Sequence, residues 1–318
     1  MSDEIRYHDL GYGITCIDTQ LYRSGLAACY LIEHDGMVGF VDTGTNNSVS
    51  ILQEVLRRKG IANEKVNYIM PTHVHLDHAG ASGKLMQEFP EATLLAHPHA
   101  ARHLADPTKL IQGSQAVYGE KAFKKMFGKL IPVAVERIQE ATDGFELDFN
   151  GRKLLFIDTP GHARHHYCIY DEQSSGLFTG DTFGASYPEL NLGRRRFIFP
   201  PTTPVQFDPD AWLETIDKLM ELSPARVFIT HFGMLEGVEG LAKLLRQAIR
   251  DYAAIAQEFA SSENRCERIS ECILQDSINY LLDQHCGADV ATIRHLISFD
   301  MELNAQGLDY WLTTQNVT

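Results

Sequence analysis

The run Thr72-His73-Val74-His75-Leu76-Asp77-His78 places four metal-type side chains, His73, His75, Asp77 and His78, within six residues. Imidazole and carboxylate are the donors that borderline divalent metals prefer, and catalytic sites keep one coordination position open for water. Three further residues complete the set: His162, Asp181 and His231, each just past an apolar run. Tyr68-Ile69-Met70 leads into His73, and Leu154-Leu155-Phe156-Ile157 into Asp158-Thr159-Pro160-Gly161-His162. Leu177-Phe178-Thr179 leads into Gly180-Asp181, and Val227-Phe228-Ile229-Thr230 into His231. Every group thus follows a predicted buried strand, and strand ends converging on one sheet edge are how α/β folds build a site on rigid elements. In an extended segment His73 and His75 point the same way. Asp77 and His78 lie beyond them, in the turn into a helix expected near Ala79. One pair can serve one metal and the next pair a neighbour.

Outward from these residues the chain has two regimes. Up to about residue 237, short strand-like runs alternate with helix-like stretches. Ala28-Cys29-Tyr30-Leu31-Ile32 and Met37-Val38-Gly39-Phe40-Val41 flank His34-Asp35-Gly36, whose Asp-Gly pair signals a hairpin. Phe145-Glu146-Leu147-Asp148-Phe149 alternates strictly before Asn150-Gly151 turns the chain into Leu154–Ile157, a second hairpin. Val49, Leu52, Val55 and Leu56 recur at helical spacing between Ser48 and Arg58. From Val238 onward the pattern is all helix, with one stripe of Leu241, Leu244, Leu245, Ile249 and Tyr252 and another of Ile269, Cys272, Ile273, Ile278 and Leu281. These stripes read as core or oligomer interface, with a homodimer through the C-terminal helices as one option and a lid or substrate wall as the alternative.

Two stretches read as insertions or loops. Pro98 to Val135 is rich in Lys and Gly, with helices expected around Ala116–Lys129; His97, His99 and His103 near its start read as surface or structural. Phe183 to Pro209 carries Arg194-Arg195-Arg196 and Pro200-Pro201 and is expected to cross the surface without regular structure. Its arginines read as a solvated loop or as an anchor for an anionic substrate, since guanidinium grips carboxylate or phosphate bidentately. Tyr187 reads as core or surface, with a pocket wall or oxyanion donor as the alternative.

Composition bounds the rest. The chain has 318 residues, 44% hydrophobic and 22% charged, ordinary for a globular protein. Its net charge of −14 disfavours nucleic acid as the main partner. No apolar run approaches the roughly 18–20 residues of a membrane span. Met1-Ser2-Asp3-Glu4-Ile5-Arg6 has no signal-peptide layout, so a cytoplasmic location is expected. The six cysteines, Cys16, Cys29, Cys168, Cys266, Cys272 and Cys286, lack CxxC spacing and read as free thiols.

The order His-x-His-x-Asp-His, then Pro-Gly-His, then Gly-Asp, then a strand-ending His, resembles the metallo-β-lactamase fold superfamily, and Val41-Asp42-Thr43-Gly44 matches that family's first motif. The resemblance covers roughly residues 10–235. It implies an α/β fold, an αββα sandwich of the metallo-β-lactamase type, as a catalytic domain over 1–237, with a helical C-terminal domain over 238–318. It implies two divalent metal ions, zinc first, with iron or manganese as alternatives. His73, His75 and His162 would hold the first ion, Asp77, His78 and His231 the second, and Asp181 would bridge them. Asp42 would support the His73–His78 loop.

The chain departs from parts of the family. Related hydrolases often read Gly-His-Thr-x-Gly-His where this chain has Gly161-His162-Ala163-Arg164-His165-His166. Arg164 and His165 could therefore reach the site, while His166 reads as support for a ligand or as structural. The flavodiiron branch carries Glu where this chain has His75. Nuclease branches carry a large insertion between the fourth and fifth motifs, and only 49 residues lie between Asp181 and His231. The helical C-terminus is similar to that of glyoxalase II and a quinolone-signal thioesterase, but carries no diagnostic glutathione-binding motif.

The expected activity is hydrolysis of a small ester, thioester, lactone or related acyl compound. A metal ion lowers the pKa of bound water from ~15.7 to about 7, so a metal-bridging hydroxide is available at neutral pH, with Asp77 orienting it. Two alternatives stay open: a diiron redox or oxygen-binding protein in the same cage, and a metal-stabilised regulatory or binding protein without turnover.

Overall fold

The computed structural model describes residues 5–190, 196–202 and 205–315. Within these, the chain forms two units. One takes the chain up to Asp158 with His165–Gly180 and Ala225–Glu236; the other takes Thr159–Arg164, Asp181–Pro224 and the chain from Gly237 on.

The first unit contains two sheets. The first sheet runs β1 (Tyr7–Asp9), β2 (Ile14–Asp18), β3 (Ala28–His34), β4 (Met37–Val41), β5 (Val66–Met70), β6 (Thr93–Ala96) and β7 (Ile138–Glu140), in that spatial order. β1 to β4 pair antiparallel and β4 to β7 parallel. Parallel neighbours need crossovers, which α1 (Val49–Lys59), α2 (Leu76–Ala79), α3 (Ser82–Glu88), α4 (Pro98–Ala105), α5 (Thr108–Tyr118) and α6 (Glu120–Phe127) provide. The second sheet comprises β8 (Glu146–Phe149), β9 (Arg152–Asp158), β10 (Tyr167–Asp171), β11 (Gly176–Gly180), β12 (Arg226–Ile229) and β13 (Gly233–Glu236), ordered from β13 back to β8. Only β11 and β12 pair parallel there.

Both expected hairpins form. Asn150 and Gly151 take φ 55° and 91°, the doubly positive turn that matches strand twist, and set Phe149 opposite Arg152. The strict alternation of β8 buries Leu147 and Phe149 while Glu146 and Asp148 face out. One core fills the space between the sheets: Tyr30, Ile32 and Met70 from the first meet Phe149, Phe156, Phe178 and Phe228 from the second. A second core lies on the first sheet's outer face, where Phe40 and Leu94 pack under Leu52 and Val55 of α1, Leu85 of α3 and Leu104 of α4.

The second unit holds α7 (Pro209–Glu221), α8 (Val238–Glu258), α9 (Arg265–Asp283) and α10 (Val290–Gln315). Asp208 caps α7 by accepting from the Ala211 N–H at 3.1 Å, with Pro209 in the first turn. Ile249 and Tyr252 of α8, Ile273 and Ile278 of α9, and Ile297 and Met301 of α10 are buried. Two sheets, the first covered on its outer face by helices, followed by a helical C-terminal region, fit the α/β sandwich that the sequence implied. Among the described residues no helix is long and apolar enough to cross a membrane.

Several local expectations need correction. The described parts of Phe183 to Pro209 are largely buried and partly regular: Phe183, Tyr187, Leu190, Phe197 and Phe199 are buried, Ala185 bridges Phe199, and Pro188–Leu190 forms a 3-10 turn, while Val205 is exposed. Its aromatic content is high enough to make core without any regular period. The helices expected around Ala116–Lys129 begin earlier, at Thr108, and break at Gly119. Leu244 is 40% exposed and stands off its stripe, and Cys272 is half-buried. His97 is buried, caps α4 and bonds Asp158 at 2.9 Å, so it is structural as expected.

Candidate metal centre

Within the first unit, β5 ends at Met70 and delivers Thr72 to His78 through bends rather than an extended segment. His75 stands at the N-cap of α2, so Asp77 and His78 lie inside this one-turn helix, not ahead of it. The rings of His73 and His75 still come within 4.4 Å, and their ligand atoms within 4.8 Å of one another.

Asp42 organises this unit's residues. It follows β4 with φ 59° and is fully buried. Its Oδ1 accepts from the Thr72 N–H at 2.7 Å and the Thr72 hydroxyl at 2.8 Å. Its Oδ2 accepts from His78 Nδ1 at 2.8 Å and the Thr230 hydroxyl at 2.6 Å. One carboxylate thereby ties together the segments carrying His73, His78 and His231. Four donors satisfy a charge that would otherwise be too costly to bury.

The same bonds decide which ring nitrogen each histidine presents. His78 gives its Nδ1 proton to Asp42, and His231 gives its own to the Leu26 carbonyl at 2.7 Å. Thr72 Oγ1, its proton on Asp42, accepts from His73 Nδ1 at 3.2 Å. Each Nε2 is therefore the lone-pair nitrogen, the form a metal needs, fixed by a partner on the far side of the ring.

His231 Nε2 stands 3.2 Å and His78 Nε2 3.5 Å from Asp77 Oδ2. The three ligand atoms lie within 4.8 Å of one another. Burial alone would raise the Asp77 carboxyl. Without an ion, protonation of the facing nitrogens, that of His78 first and then His231, outweighs burial and holds the group well below the usual carboxylate range; an ion on those lone pairs would take the place of the protons.

Gly180 ends β11 at φ +47°, and a Cβ there would come within 2.5 Å of Thr72 Oγ1 and 2.6 Å of His166 Nε2. Only glycine lets that backbone pass so close.

In the second unit, His162 repeats the pattern. Its Nδ1 donates to the Pro201 carbonyl at 2.7 Å, and its Nε2 lies 3.4 Å from Asp181 Oδ2. Trp212 sets its ring edge-on to His162 at 5.8 Å and donates its indole N–H to the Thr182 carbonyl at 2.7 Å, steadying both members of the pair.

These donor sets fit a metal. Two donors bound about 2.0–2.2 Å from one tetrahedral ion stand ~3.4 Å apart. The three Nε2-to-carboxylate separations, 3.2, 3.4 and 3.5 Å, match that span and exceed an ordinary charged hydrogen bond.

The remaining sequence candidates divide. His165 is buried and stacks on His73 at 6.0 Å with its edge to His75 at 5.5 Å; His166 lies 4.8 Å from His73. Arg164 is exposed, and its backbone N–H donates to Gln206 Oε1 at 2.7 Å. Tyr187 is buried and donates to Asp300 of α10 at 3.0 Å. Arg195, like Arg194, lies outside the described residues, and Arg196 is half-buried.

Sequence reasoning passed over Thr72, Thr230 and Trp212. The twice-repeated Thr-His pair, Thr72-His73 and Thr230-His231, was the available signal. Leu26 and Pro201 act through backbone carbonyls and leave none.

The family model described as the metallo-beta-lactamase superfamily matches residues 23–231. The metallo-beta-lactamase fold-containing protein ST1585 of Sulfurisphaera tokodaii is 27% identical over 214 residues, covering 66% of this chain and 74% of that protein. The acyl-coenzyme A thioesterase MBLAC2 of Gallus gallus is 26% identical over 291 residues, covering 84% and 90%. The metallo-beta-lactamase family protein TTHA1429 of Thermus thermophilus has a similar structure, with a TM-score of 0.69 at 19% identity over 97% of this chain and 95% of that one.

Proposed function

The chain belongs to the metallo-β-lactamase superfamily, and from that premise we propose that it is a binuclear metallohydrolase cleaving a small ester, thioester, lactone or related acyl compound. The observation that carries the reading is the shared setting of His78, His162 and His231. Each gives its Nδ1 proton to a fixed acceptor and turns its Nε2 toward a carboxylate 3.2–3.5 Å away. Structural histidines have no need of that arrangement, and ligands do.

In this reading His73, His75 and His162 would hold one divalent ion and Asp77, His78 and His231 the other, with Asp181 as the carboxylate that would be shared. The all-nitrogen and carboxylate donor set suits zinc. Divalent ions held there would supply an acidified water and a Lewis acid for an acyl carbonyl at neutral pH. The ionised Asp77 carboxylate accepts a hydrogen bond from the attacking water and aims it. His165, stacked on His73, limits what enters beside His75. The likeness to a thioesterase over most of both chains supports an acyl thioester as the first substrate to try.

The test is a panel of acyl esters, thioesters and lactones, run before and after chelation and again after zinc is restored. Hydrolysis that is lost on chelation and returns with zinc supports the reading. Undiminished hydrolysis in chelated, metal-free protein refutes it.

A further inference from the structure

One peptide plane joins His162 to the C-terminal helix. The carbonyl of Pro201 accepts the His162 Nδ1 proton at 2.7 Å. The N–H of the same peptide unit, that of Thr202, donates to Asn304 Oδ1 at 2.8 Å. Carbonyl and N–H point in opposite directions from a rigid trans peptide, so His162 and Asn304 grip its two edges. Turning the plane to relax one bond breaks the other. Thr202 Oγ1 adds a bond to the Asn304 carbonyl at 3.0 Å, which fixes the distance between the Pro201–Thr202 peptide and α10.

Asn304 is 1% exposed, in a stretch of α10 that also buries Ile297, Met301, Ala305 and Leu308. An amide in such a place costs free energy unless its hydrogen bonds repay the lost water. A leucine would fill the volume and gain apolar burial. The amide oxygen instead sits on the one peptide whose carbonyl orients His162.

We propose that Asn304 is a positioning residue for His162. It holds the Pro201–Thr202 plane so that the His162 Nδ1 proton stays on the Pro201 carbonyl and Nε2 stays turned to Asp181. The helical C-terminal region thereby sets the tightness of one ion and not the other. The inference rests on the proposed role of His162 as a ligand.

The experiment compares the full-length wild type with Asn304→Leu, which removes the acceptor oxygen at similar volume, and Asn304→Asp, which keeps it. Asn304→Ala replaces the leucine variant should that one not fold. In the zinc-loaded protein, a chelator titration should strip one of two ions from Asn304→Leu at about 10- to 100-fold lower chelator concentration, the range expected for losing an outer partner. The second ion should hold as in the wild type, and Asn304→Asp should restore the first. Unchanged retention of both ions, or equal weakening of both, overturns the proposal.

In the metal-free protein, the hydrogen-bonded His162 Nδ1 proton should give a downfield NMR signal that moves in Asn304→Leu and persists in Asn304→Asp. That signal separates the two ideas. If the wild type binds no zinc yet the signal responds to Asn304, the ligand reading falls and the positioning role stands. A signal indifferent to Asn304 overturns the positioning role whatever the metal content.

Discussion

Asp42 and His78 share a hydrogen bond of 2.8 Å between two side chains that are 1% and 0% exposed. Asp42→Asn replaces a carboxylate receiving four donors with an amide that can accept at only one end. The variant should bind its metals about 10–100-fold more weakly. It should also lose on the order of 3 kcal/mol of stability, because hydrogen bonds to a buried charge go unmade. Chelator competition and urea unfolding measure the two effects; a variant with wild-type values in both would show that Asp42 does not organise the ligand segments.

Asp181→Ala removes the carboxylate facing His162 Nε2. Loss of even an outer partner costs about 10–100-fold in metal affinity or activity, so loss of this group should exceed ~100-fold in kcat/KM. Metal content should fall in parallel. Retained turnover at reduced metal content would uncouple the two and count against the bridging role.

Gly180→Ala should destabilise the fold by about 1–3 kcal/mol through overpacking alone, with backbone strain at φ +47° adding to it. The new Cβ would press on Thr72 Oγ1 and His166 Nε2, so metal binding should weaken as well. Thermal unfolding and metal analysis of the purified variant check both.

Trp212→Phe keeps an aromatic ring beside His162 but leaves the Thr182 carbonyl without its 2.7 Å indole donor. Losing this one buried hydrogen bond should cost about 0.5–1.5 kcal/mol. The loss should appear in equilibrium unfolding of the metal-free protein.

Burial pushes the Cys16 thiol up to about 12 from its ordinary 9.0, with the Asp18 charge adding to the rise. A raised pKa means the folded state holds the proton more tightly than the unfolded chain. This contribution to stability is therefore complete below about pH 9 and is lost as pH climbs toward 12. Each pH unit in that window should cost about 1.4 kcal/mol for this one group. Thiol titration of the native protein near neutral pH should accordingly leave Cys16, Cys29 and Cys168 unmodified, while Cys266, Cys272 and Cys286, all partly exposed, react. Rapid modification of all six in native buffer would contradict the buried environment.

The parts of the fold legible in the sequence were those set by local chemistry. Asn150-Gly151 fixes a hairpin because its turn demands two positive φ angles. The strand ends before His73, His162, Asp181 and His231 were legible because a buried strand reads as an apolar run. Less visible was anything decided by distant partners. Leu76 opens a helix rather than completing an extended run, and His75 becomes its cap. The burial of Tyr187 and Phe199 was not legible, since aromatic residues without a period give no cue that Tyr187 will meet Asp300, 113 positions away. Asn304 gave no signal at all, because its meaning lies in a peptide plane supplied by Pro201 and Thr202.

The central claim is that two divalent ions, zinc first, occupy the seven-ligand constellation. The most direct test is elemental analysis of the protein purified without added metal. About two zinc ions per chain, falling toward one or none in Asp181→Ala, is the predicted result. A well-folded chain that carries little or no metal and still hydrolyses acyl substrates would contradict it.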